Sequence, residues 1–141
     1  MIETTGIVEP WLWDTLSADT TLMGLVNDTL SGTLSSEALP VPYVTFLMQS
    51  SRDVGGTGGT RISTDNLYIV KGVTQGASWD DGEPIAERID FLLHRPSAVM
   101  TSGSGSLTCI REQIVQYPEQ QEGLQYRHLG GIYRIRASAD D

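Results

Sequence analysis

Hydrophobic and polar residues alternate with two different periods along this chain, and the clearest change of period lies between Asn66 and Arg95. Asn66-Leu67-Tyr68-Ile69-Val70-Lys71-Gly72-Val73 is rich in β-branched and aromatic residues, lacks proline and predicts a strand. After the turn Gln75-Gly76-Ala77-Ser78, the residues Ile85, Ala86, Ile89, Leu92 and Leu93 recur at helical spacing. Asp80 or Asp81 is placed to cap the start of that helix, and Pro84 falls in its first turn, where a missing N–H costs little. His94 and Arg95 suit the negative end of the helix dipole, and Pro96 stops the helix. The apolar arc is about 100° wide, enough to lie across a sheet. Phe91 falls outside it, among Glu87, Arg88 and Asp90, and is a candidate subunit contact.

The same reading extends to both ends of the chain. Val8, Leu12 and Leu16 share a face in a short helix around Trp11 and Trp13, with Pro10 in the first turn. Asp19 is placed to cap a second short helix carrying Leu22, Leu25 and Val26. Pro40-Val41-Pro42 leads into a strand, Tyr43 to Gln49, in which Val44, Phe46 and Met48 take one face. Leu107 to Tyr117 predicts a strand whose alternation breaks at Arg111-Glu112-Gln113, the mark of a bulge or twist. Ser97 to Ser106 is expected to be a turn, and Pro118 to Gly123 a polar connection. In the last strand Leu129, Tyr133, Ile135 and Ala137 share one face and Arg134 and Arg136 the other, while Gly130-Gly131 permits a bulge or a close backbone approach. The expected fold is α+β: a mainly antiparallel sheet of about four strands packed against one long helix and two short N-terminal helices. The whole chain, 1–141, is expected to be one domain, with a loose N-terminus (1–6), a long Gly-rich hairpin loop (50–64) and a loose acidic C-terminus (138–141).

Charge narrows the function. Eighteen acids against nine bases give a formal net charge of −9, with Lys71 the single lysine. That balance opposes sequence-independent binding to nucleic-acid phosphates and to anionic membranes. No apolar run approaches the roughly 18 residues that cross a bilayer. Cys109 is the only cysteine and sits in a strand-like run, as a small buried hydrophobe does more often than a reactive thiol.

Candidate chemistry is sparse. Gly55-Gly56-Thr57-Gly58-Gly59-Thr60-Arg61 suggests a phosphate-cradling loop, but no Lys-Ser or Lys-Thr follows, and the flanks read strand–loop–strand. A hairpin loop that orders on contact with a partner is the competing reading. His94 and His128 lack neighbours at ligand spacing, so no metal site is indicated, and His128 is expected at a surface or interface. Asp80 and Asp81 are adjacent carboxylates that helix capping explains; a metal or acid–base role would need a third ligand that is not in view. No nucleophile motif occurs, so neither an enzyme nor a cofactor is implied.

The order of elements resembles the phage tail terminator (tail completion, tail-to-head joining) family. Trp11-Leu12-Trp13, Leu22-Met23-Gly24-Leu25-Val26, Leu39 to Phe46, strand 67–73, helix 83–93 and Tyr126 to Ile135 carry the resemblance, which spans nearly the whole chain and rests on order and length. It implies a structural virion protein at the tail–neck junction, assembled in the host cytoplasm. Six copies would form a ring that caps the tail tube, ends its growth and meets a head-completion or neck protein. DNA would pass through the ring, and an acidic chain suits that role if the lumen repels the phosphates. The alternatives are another neck component (a head-completion or minor tail protein) and a nucleotide- or small-molecule-binding domain using the 55–61 glycine loop. A ring needs a heterologous contact that closes. The residues expected to form it are Arg52, Asp53, Gly58, Gly59, Arg61, Phe91, Arg134 and Arg136, with a solvated rim as the competing reading for each arginine.

Overall fold

A computed structural model describes residues 2–32, 39–59, 61–101 and 105–139, with Arg61 described as backbone alone. A π-helical turn, Thr4–Val8, runs into helix α1 (Glu9–Ser17), followed by α2 (Thr20–Leu25). Strands β1 (Leu30–Ser31), β2 (Tyr43–Gly55) and β3 (Arg61–Gln75) come next, then α3 (Gly82–Leu93). The chain closes with β4 (Arg95–Thr101), β5 (Gly105–Gln121) and β6 (Leu124–Ala139). The six strands form one sheet in the order β1-β2-β3-β6-β5-β4, antiparallel except for the β1–β2 pair.

This corrects the expected fold class. The protein is mostly β, with over half of its described residues in a six-stranded mixed sheet, rather than a four-stranded sheet under one long helix. The helix α3 has only 12 residues. The reason lies in polarity. Residues 47 to 53 and 110 to 114 are strand, yet they are exposed on both sides, so no in–out alternation marks them. The span 50–64, expected to be an irregular loop, is strand up to Gly55 and again from Arg61. The expected turn 97–106 contains most of β4, and Pro118 to Gln121, expected to be a connection, is strand up to a turn at Glu122-Gly123. Both strands tolerate their prolines because they lie toward the sheet edge. At the N-terminus, expected to be loose, Glu3 and Thr4 are buried; Ser138 and Ala139 belong to β6. Met1, residues 33–38 and the last two residues, Asp140 and Asp141, lie outside the described residues.

The helices lie on one face of the sheet. Leu12, Leu16, Leu22, Ile85, Ile89 and Leu93 are fully or almost fully buried against Phe46, Tyr68, Val70, Tyr133 and Ile135. The bulge expected near Glu112 is present as a register shift between Arg111 and Gln113. Asp19 caps α2 as expected, accepting from the Leu22 N–H at 2.9 Å, and also takes both Nε and Nη2 of Arg88, which ties α2 to α3. The acids before α3 make no such cap: Asp81 holds the N-cap position without a side-chain bond, and the Trp79 carbonyl accepts from Gly82 and Glu83. Two tyrosines carry their hydroxyls into the helix layer and find carboxylates there, Tyr68 to Glu9 at 3.0 Å and Tyr133 to Asp90 at 3.1 Å. Cys109 is buried, which together with the Asp90 carboxylate holds its thiol well above the ordinary range, protonated and inert.

Candidate functional site

The sheet face turned away from the helices carries the charged cluster. Pairing sets Arg52 of β2 opposite Asp65 of β3, and Asp65 opposite Arg136 of β6, so all three side chains leave the sheet on the same side. The Asp65 side chain is only 3% exposed. It accepts from Arg134 Nη1 at 2.6 Å and from Arg52 Nη2 at 3.2 Å, with Arg136 Nε at 3.8 Å. Arg134 also donates to both oxygens of Glu112 on β5. Those two carboxylates, Glu112 first and then Asp65, push the Arg134 guanidinium above its ordinary range. Four strands are thereby tied together on one face.

Asp65→Ala is expected to cost roughly 1–3 kcal/mol, the range for deleting a buried charge-assisted acceptor. Arg52→Ala should cost less than about 1 kcal/mol, because the Arg52 side chain is 76% exposed and solvent screens it. Urea denaturation of both variants checks the difference; equal losses would remove Asp65 from the centre of the cluster.

The expected interface residues divide three ways. Arg52, Arg134 and Arg136 converge on Asp65, Arg134 as an internal tie and the other two as largely exposed groups. Asp53 stands opposite Thr64 in the β2–β3 ladder, and Gly58 and Gly59 form the hairpin tip with φ of +78° and +81°. The side chain of Arg61 lies outside the described residues. Phe91 sits apart from all of these, on α3 across the sheet, 62% exposed with the Arg88 guanidinium 4.6 Å from its ring. Asp65 and Glu112, the acids that organise the arginines, are not among the residues expected at the site. Asp65 was legible as an odd-numbered position in phase with Leu67 and Ile69 on the far side of β3.

A second cluster lies on the same face. His128, expected at a surface or interface, is 6% exposed within the subunit. Its ring stacks on Tyr117 at 4.4 Å, and its Nε2 is 3.0 Å from Glu119 Oε1. Lys71 donates to the Tyr117 hydroxyl from beside that ring. The His128 Nδ1 is buried without a partner, which suits a neutral ring that donates from Nε2 and leaves a bare lone pair at Nδ1. Burial pushes the imidazole below its ordinary value of 6.5, more strongly than the Glu119 hydrogen bond pulls it up. The unfolded chain therefore takes up the proton first on acidification. His128 stability is complete above pH 6.5 and is lost as pH falls through the lower folded value. Denaturation series across that window should show a loss in the parent chain that is absent in His128→Gln.

The glycine-rich tip joins two paired strands and leads into no helix, so its backbone does not form a phosphate loop. Asp80 and Asp81 border an open cleft of about 400 Å³ with Thr74, Pro84, Ile85 and Leu25. Among the described residues, no group of three or more His, Cys, Asp or Glu is placed to hold a metal ion, and no helix is long and apolar enough to cross a membrane.

No protein-family model matches the sequence, and no curated protein matches it. A solved structure does. A chain of the "Virion of native gene transfer agent (GTA) particle" superposes with a TM-score of 0.76, covering 98% of this chain and 99% of that one. The two share a fold end to end. Identity is 16%, so the likeness lies in the arrangement of elements and not in particular side chains.

Proposed function

We propose that this chain is a structural, non-catalytic component of a phage-like virion. The observation that carries the reading is the end-to-end fold match to a virion chain. Within that class, the order of elements favours a tail terminator. Six copies form a ring on the end of the tail tube, stop its growth and present a surface to the neck or head-completion protein, and the genome passes through the lumen. Its place is the tail–neck junction, reached after assembly in the host cytoplasm. The exposed members of the expected interface, Arg52, Arg136, Phe91 and the hairpin tip at Gly58 and Gly59, supply part of the subunit and tube contacts.

Native mass spectrometry of the purified chain, followed by electron microscopy after mixing with tail tubes, tests this. The expected result is a hexamer that sits on tube ends and halts elongation. A chain that stays monomeric beside tubes that keep growing would contradict it.

A further inference from the structure

Among the described residues, two edges of the sheet have stretches that pair with no other strand. Among the described residues β1 pairs only with Val44 and Thr45 of β2, and β4 reaches only as far as Cys109 of β5. No described strand pairs along the outer edge of β2 from Phe46 to Arg52, or along that of β5 from Ile110 to Tyr117. The Arg111 N–H points out of the β5 edge, where it meets His94 Nδ1 at 3.4 Å. Pro118 has no N–H to give, which bounds the β5 segment at its far end. Open edges of this length invite another strand.

We propose that the β5 edge of one subunit pairs antiparallel with the β2 edge of the next copy of this chain; the proposal rests on the ring reading above. Direction supports it first. The four long strands run alternately up and down in the order β2-β3-β6-β5, so a second copy placed beside β5 in the same orientation presents a β2 of opposite direction. The alternation continues through the joint without inversion, as a heterologous contact requires.

Side chains agree with that alignment on both faces. Running 46–52 antiparallel to 110–117 brings Met48, 43% exposed, beside Ile114, 63% exposed, on the helix side. On the far side it sets Leu47 opposite Val115 with Tyr117 on the diagonal, and brings Arg52 within diagonal reach of Glu112. Four exposed large hydrophobics would be covered and opposite charges would meet. A closed circle of copies would then leave neither edge unpaired.

Met48→Glu on the β2 edge and Ile114→Glu on the β5 edge test the joint, with far-UV circular dichroism melts confirming the fold. Each variant alone should lose the closed ring, its population falling roughly tenfold or more. An equal mixture should yield a one-to-one pair and nothing larger, because the Met48→Glu chain keeps its β5 edge, the Ile114→Glu chain keeps its β2 edge, and the two ends left over set acid against acid. Hydrogen exchange on the unmodified assembly gives an independent reading: amides of 46–52 and 110–117 should be slowed relative to dissociated subunits. A ring that forms with those amides exchanging as freely as in the subunit, or that survives both substitutions, overturns the edge pairing and leaves the ring reading intact. A folded parent chain that never assembles, alone or on tail tubes, overturns both.

Discussion

Gly130→Val is expected to leave little folded protein. Gly130 lies in β6 between Lys71 of β3 and Val115 of β5. A Cβ there would stand 2.5 Å from Lys71 Cα, and closer still to the Val70 carbonyl oxygen. Backbone atoms of a paired strand cannot swing aside as a side-chain tip can, so relief requires separating β3 from β6 at the middle of the sheet. Overpacking typically costs about 1–3 kcal/mol where side chains give way. Here the loss should exceed that range and consume much of the ~5–15 kcal/mol that holds a domain folded. Gly58→Ala is the contrast: nothing lies within 4 Å of its Cβ, and its φ of +78° carries only the left-handed penalty of roughly 1–2 kcal/mol. Circular dichroism melts of the two variants measure the difference. A Gly130→Val chain that melts like the parent would mean that the β3–β6 register is wrong.

Ile89→Ala is the second large effect expected, at roughly 2–5 kcal/mol. Ile89 is fully buried, one turn from Ile85 and Leu93, on the face of α3 that meets the sheet. Removing three carbons there leaves a cavity walled by strands that cannot close on it. Phe91→Ala, two residues on, should cost at most about 1 kcal/mol, the contribution of an exposed cation–π contact. Chemical denaturation of both variants separates a core residue from a surface one on a single helix. Comparable losses would place Phe91 in a contact within the subunit and remove it from the proposed interface.

The elements with one covered side were legible from the sequence. Val44 and Phe46, Ile85, Ile89 and Leu93, and the run from Leu129 to Ala137 alternate because helices cover only one face of each. The cap at Asp19, the burial of Cys109 and the break at Glu112 followed from local chemistry. Strand exposed on both faces could not be read in this way. Nothing alternates along Gln49-Ser50-Ser51-Arg52-Asp53, and β4 holds one edge position with Pro96 and Ser97 in it. The same blindness governed the candidate site. The arginines were noticed as charges, but Asp65 and Glu112 become their partners only through pairings that span 13 to 69 residues of chain. The burial of His128 within the subunit was not legible because Tyr117, which covers it, arrives from the neighbouring strand.

The position of this chain in an assembled particle separates a tail terminator from any other virion component. Cryo-electron microscopy of virions, with the density traced to this sequence, should find six copies in a single ring between the head-proximal end of the tail tube and the neck. Finding the chain repeated along the tube, or absent from the particle altogether, would contradict it.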